Sequence, residues 1–203
     1  MCAMAKSESY EDLGSEKTPA LGFIELSSIS RGLFLTDAVL KKAPVKVIAS
    51  QPISSGKHAL LFMGDVASVE ESFANAVELA DGTVVTKVLI PAVHPDLAPF
   101  LDSLWSTDAS RSPAVEESVG IVESRTLAGA VLAADRALKT ARVRLCRMRL
   151  GQGIGGKAYF VLAGKQDEVE AGTEAARETL ALLESFCRVD VIPRPQAEAF
   201  AFF

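Results

Sequence analysis

Two glycine-rich loops, each ending in Gly-Lys, are the stretches of this chain whose residue types could hold a ligand. The second, Leu150-Gly151-Gln152-Gly153-Ile154-Gly155-Gly156-Lys157, sets Gly151, Gly153 and Gly156 in the spacing G-x-G-x-x-G and comes close to the phosphate-binding pattern G-x-x-x-x-G-K-[ST]. Either chemistry needs a helix directly after the loop, because the first amides of that helix and its positive dipole end hold the phosphates. Here the loop runs into Ala158-Tyr159-Phe160-Val161-Leu162, a strand pattern, and Ala158 stands where a hydroxyl would hold magnesium. Nucleotide binding is therefore not expected, and the glycines read as residues that permit positive φ in a crowded turn. The first loop, Gln51-Pro52-Ile53-Ser54-Ser55-Gly56-Lys57, is shorter and offers serine hydroxyls.

The other reactive residue types are scattered. His58 and His94 are the only histidines, and neither has an acidic or thiol neighbour in sequence, so satisfied or surface imidazoles are expected rather than catalytic ones. Cys2, Cys146 and Cys187 share no metal-ligand spacing; this odd set suits a reducing compartment, and no metal site is expected. Cys146 and Cys187 fall in predicted strands as small buried hydrophobes. Arg142, Arg144, Arg147 and Arg149 make a basic strand without the interleaved aromatics that a nucleic-acid surface would want. Glu25 and Glu123, at strand ends, read as structural hydrogen-bond acceptors rather than general bases. No catalytic constellation emerges, and the chain is read as a non-enzyme.

The elements that position these residues occur twice. Gly22-Phe23-Ile24-Glu25-Leu26 is answered by Gly120-Ile121-Val122-Glu123-Ser124, and the correspondence continues through Asp37 with Asp135 and Lys41 with Lys139. After the loops, Gly56-Lys57 matches Gly156-Lys157 and Gly64 matches Gly164, so the copies differ mainly in loop length. Ala20–Leu26 reads as a strand, and Ser27, Ser28 and Ser30 offer N-cap oxygens for a helix to about Lys42. A strand beginning at Val45, the loop, a strand over His58–Met63, a helix capped at Asp65 and stopped by Asp81-Gly82, and a strand ending at Ile90 complete the first copy. In the second, Thr126 caps a helix whose stripe is Leu127, Val131, Ala134, Leu138 and Ala141, and Phe186–Ile192 is the last strand. Each copy reads β-α-β-β-α-β, so the expected class is α+β, two tandem ferredoxin-like domains.

The expected boundaries are a flexible arm over 1–19, a first domain over 20–101, a linker over 102–118 and a second domain over 119–203. A short extra helix is expected within Pro95–Leu101. The apolar fraction of 49% points to a large core or to surface covered by other copies. No apolar run approaches the roughly eighteen residues of a membrane span, so no membrane partner is expected. The net charge of −5 argues against nucleic acid as a partner.

In order and twice over, these motifs resemble the shell-protein domain of bacterial microcompartments. The resemblance rests on Leu21-Gly22-Phe23-Ile24-Glu25, Asp37-Ala38-Val39-Leu40-Lys41, Ile53-Ser54-Ser55-Gly56, Gly64-Asp65-Val66 and Val191-Ile192-Pro193-Arg194-Pro195, and covers about residues 20 to 196. Two fused copies resemble the non-permuted tandem-domain type. The resemblance implies a homotrimer that mimics a six-domain tile, packed in a cytoplasmic microcompartment shell with hexameric and pentameric tiles, and a central pore for small polar metabolites. It places Ser54, Ser55 and Gly56 at the pore, with Gln152, Gly153, Ile154 and Gly155 of the longer loop at its narrowest point. It assigns tile-edge contacts to Lys41, Lys139 and Arg194, with Ala92 where the first copy would carry a second edge arginine. Some tandem relatives hold an iron-sulfur cluster at the pore through cysteines; neither loop here has one, so no cofactor is expected. Two alternatives stay open: a trimeric small-molecule sensor of ferredoxin-like architecture, and a gated or electron-transfer shell subunit.

Overall fold

Two small antiparallel sheets with helices on one face of each account for the chain, and a single helix of the second copy is shared between them. The computed structural model describes residues 18–102, 117–151 and 153–202, with Asp102 and the last three by backbone alone; the expected arm and linker lie almost wholly outside this range. In the first copy, β1 (Ala20–Leu26), α1 (Ile29–Lys42), β2 (Lys46–Ile53), β3 (Lys57–Gly64), α2 (Val66–Leu79) and β4 (Val84–Ile90) follow in order. A 3-10 turn at Pro95–Leu97 runs into the short α3 (Ala98–Asp102). The second copy comprises β5 (Ser118–Ser124), α4 (Leu127–Thr140), β6 (Arg144–Leu150), β7 (Ala158–Gly164), α5 (Gln166–Leu182) and β8 (Phe186–Ile192), followed by 3-10 turns over Ala197–Phe202. The strand orders, β2-β3-β1-β4 and β6-β7-β5-β8, are those of the expected ferredoxin-like fold. Among the described residues, no helix is long and apolar enough to cross a membrane.

The local chemistry is that of capped helices and glycine-assisted turns. Ser28, Asp65 and Thr126 each accept an amide of the first helical turn, which satisfies donors that a helix leaves unpaired. Asp81 and Gly82 end α2 with positive φ, and Glu184 does the same after α5. Gly22 faces the ring of Phe62, where a Cβ would lie 2.6 Å from the ring edge.

Every residue of β1 is buried, because both faces of its sheet are covered. Ala20, Ile24 and Leu26 pack with Leu60, Phe62, Leu35 and Val39 under α1 and α2. The alternate residues Leu21 and Phe23 join Leu61, Met63, Val88 and Ile90 against Leu127, Val131 and Ala134 of α4 and against Leu97 and Phe100. The stripe expected for α4 is thus too narrow. Ala128, Gly129, Ala130, Ala133 and Ala137 are buried as well, because one side of the helix meets its own sheet and the other meets the first copy. Its alanines and glycine are the small residues that two simultaneous contacts require.

Candidate functional site

The two loops meet. Ser55 has φ 72° and its hydroxyl donates to the Gly155 carbonyl at 2.9 Å. A Cβ on Gly156 would lie 2.9 Å from the Ser54 carbonyl oxygen, so the longer loop lies against the shorter one where only glycine fits. A Cβ on Gly151 would lie 3.1 Å from Leu127 and 3.4 Å from Ile53, a looser but still tight fit. The longer loop is braced by the Gly151 amide donating to Lys157 and the Lys157 amide donating to Ile154. Beyond Gly56 and Gly155 there is open space. Ser55, Gly56, Gly153 and Gly155 are exposed, while Ser54 and Ile154 are half-buried; Gln152 lies outside the described residues. The structure thus brings Ser55 and Gly155 into contact, and β7 follows the longer loop where a nucleotide fingerprint would need a helix.

Beneath the loops lies a joint between the copies that sequence reading found only in part. Glu25, completely buried, takes the Lys57 ammonium at 2.6 Å on one oxygen and the Leu127 amide, first of α4, at 2.7 Å on the other. A carboxylate at a helix N-terminus satisfies an orphan donor and faces the positive dipole end, while Lys57 neutralises it. The repeated glutamate was legible as a structural acceptor; its donor, 102 residues away, was not. At the other end of α4, Asp135 accepts the His94 amide at 2.8 Å and the Lys139 ammonium at 2.6 Å, and Lys139 also donates to the Ala92 carbonyl. Lys41, its counterpart on α1, is exposed and, among the described residues, paired only with the exposed Asp37. Arg194 is exposed with φ 46°.

The histidines are structural in different ways. His94 Nδ1 accepts the Asp96 amide at 3.2 Å and so caps the turn into α3. His58 is buried under α1, with Nε2 3.0 Å from Ser50 Oγ, which lies 2.6 Å from Thr36 Oγ1. The Thr36 hydroxyl donates to the Gly32 carbonyl, so Ser50 donates to Thr36 and the proton of His58 sits on Nε2. Nδ1 is buried without a partner, and burial holds the imidazole below its ordinary pKa. Cys146 is buried as expected, but Cys187 is only half-buried because its strand is at a sheet edge. Among the described residues, no group of three or more His, Cys, Asp or Glu side chains is placed to hold a metal ion.

A family model described as the BMC domain matches the chain twice, over residues 20–93 and 118–195. The chain is 36% identical over 176 residues to the bacterial microcompartment shell protein PduT of Citrobacter freundii, covering 87% of this chain and 92% of that one. A solved microcompartment protein from Desulfitobacterium hafniense aligns with a TM-score of 0.75 at 31% identity, over 89% of this chain and 97% of that one. The fused permuted hexameric shell protein MSM0275 from the RMM microcompartment shares the fold, with a TM-score of 0.60 at 23% identity over 82% of this chain and 83% of its own.

Proposed function

Because the chain belongs to the BMC-domain family of microcompartment shell proteins, we propose that three copies close head to tail into a flat pseudohexameric tile whose paired loops surround a central pore. One contrast carries this reading. On α4, Leu127 and Val131 are 0% exposed and Leu138 is 5%, because the first copy covers them. Their counterparts on α1, Ile29, Leu33 and Leu40, are 37%, 56% and 52% exposed. The sheet face that would receive α1 is also incompletely covered: Ile121 and Tyr159 are half-buried where Phe23 and Ala59 are fully buried. A helix whose outer face lacks a second sheet and a sheet whose outer face lacks a helix, on one chain, are the two halves of a heterologous contact, and such contacts close into rings where the rotation between copies permits.

In this tile, three copies of Ser54, Ser55 and Gly56 alternate with three of Gly153, Ile154 and Gly155 around the axis. Hydroxyls and backbone amides at a narrow mouth replace part of the hydration of a small polar metabolite and leave apolar ones unsupported. The tile is structural rather than catalytic, and it packs with hexameric and pentameric tiles in a shell within the bacterial cytoplasm.

Lys41, Lys139 and Arg194 make the tile edge. Lys139 sits beside Ala92, and the same geometry repeated between copies sets Lys41 beside Arg194, so corners with one cation alternate with corners bearing two. The test is the mass in solution, followed by negative-stain images of the same sample at raised concentration. Three chains per particle and hexagonal sheets are expected. A trimer that never tiles would favour the ligand sensor, and a chain that stays monomeric at every concentration would sink the tile.

A further inference from the structure

The joint between the copies is complete once and half-built once. Glu123 occupies the strand position of Glu25, and Lys157 lies 3.2 Å from it as Lys57 lies beside Glu25, yet these two side chains are 42% and 56% exposed where Glu25 is 0%. Arg188, across the sheet from Glu123, is engaged by Asp190. Among the described residues no backbone amide reaches Glu123. The amide that corresponds to Leu127 is that of Ile29, first residue of α1, and it has no acceptor among the described residues. Ile29 cannot reach Glu123 of its own chain without leaving its sheet, since the Ser27 amide and hydroxyl both donate to the Thr83 carbonyl and tie the start of α1 to the first copy.

We infer that the Glu123 carboxylate of one copy accepts the Ile29 amide of the next, with Lys157 as its counter-ion, and that this bond selects the rotation at which copies join. The inference rests on the tile reading and goes past it, because a ring could close on the apolar stripe of α1 alone. Apolar packing is non-directional. A carboxylate and an ammonium at the edge of that packing are directional: any docking of α1 that covers Glu123 without delivering an amide buries an under-satisfied charge. Glu25 shows the satisfied version, with the same two residue types and a helix N-terminus in place.

The test reads the bond itself. Amide hydrogen exchange at Ile29 is measured on the unmodified chain above and below its assembly concentration. An N1 amide has no partner within its helix, so exchange is fast in the dissociated chain. Assembly is expected to slow it about tenfold or more, the protection a bond to a charged acceptor gives. Glu123→Ala, at a concentration where it is fully trimeric, is expected to restore fast exchange. A tenfold weakening at each of three joints raises the trimer dissociation constant about a thousandfold and the half-assembly concentration by its square root, roughly thirtyfold. Ile29 exchanging as fast in the trimer as in the free chain, or an unchanged half-assembly concentration for Glu123→Ala, overturns the inference while leaving the tile in place. An unmodified chain that never trimerises overturns both. Because Glu123 is half exposed in the single chain, the variant retains the fold; the exchange comparison on the unmodified chain decides the matter without it.

Discussion

Leu33 and Val131 occupy the same position in the two copies, and the fold gives them opposite tasks, so truncating each should produce opposite phenotypes. Val131 is fully buried against the first copy, and Val131→Ala removes two methyl groups from a filled core. That costs about 2 kcal/mol including the cavity, and at this chain length it lowers Tm by roughly 4–8 °C. Leu33 is 56% exposed in the chain, so about half of its burial is left for assembly. Full burial of a leucine side chain is worth about 2–3 kcal/mol, so Leu33→Ala forfeits about 1 kcal/mol at each joint and about 3 kcal/mol per trimer. The half-assembly concentration then rises roughly tenfold. Tm of the dilute, dissociated chain falls by only about 2–4 °C, half the loss for Val131→Ala, because the half of Leu33 already buried in the chain is worth about 1 kcal/mol and alanine is at least as good a helix former. Sedimentation across a dilution series gives the first quantity and a melt below the assembly concentration the second. If Leu33→Ala melts as early as Val131→Ala, or assembles at the unmodified concentration, α1 is not the free half of the contact.

Other outcomes follow from single contacts. Gly32→Ala would drive a Cβ to within 2.2 Å of the His58 ring, and a loss of about 1–3 kcal/mol is expected in a denaturant melt, relieved when His58→Ala is added. His58 is held below its ordinary pKa in the fold, so the unfolded chain binds more protons below pH 6.5 and stability should fall as pH drops through that value and below. The imidazole contributes no pH dependence well above pH 6.5, and His58→Gln should flatten the slope below it in melts run across the acid range. Arg194→Ala should leave the trimer mass unchanged and alter or abolish sheets in negative-stain images, because it strips one cation from the doubly charged corners alone.

What the sequence made legible was whatever repeats or acts over a few residues. The duplication exposed both domains, and the caps Ser28, Asp65 and Thr126 acted where their types and positions indicated. The limits of β1 and β8 agree with their apolar patterns because a cap or a turn signal follows each. What escaped lies between distant residues. Nothing near Leu127 announces that its amide belongs to Glu25, and nothing near Thr36 announces that it orders Ser50 and His58. The breadth of burial on α4 was missed for the same reason. A stripe reports one packed face, and the second face is visible only as a surplus of alanine, Ala128, Ala130, Ala133, Ala134 and Ala137, over the matching positions of α1, where Ser30, Gly32, Leu35, Thr36 and Val39 stand. The loop contact from Ser55 to Gly155 depends on both copies being in place, and no local pattern encodes it.

The joint that Glu25 makes with α4 also sets the arithmetic of assembly. A six-domain ring drawn from single-domain chains must collect six molecules, and dilution acts on it with nearly the sixth power of concentration. Here every second joint is formed as the chain folds, at an effective concentration set by a covalent tether rather than by the surrounding solution. The proposed ring would then need three molecules, survive far greater dilution, and always alternate the shorter loop with the longer one. It can also close only on an even number of domains. In the proposed tile a chain built this way would fill flat facets, and any fivefold corner of a closed shell would have to come from another protein.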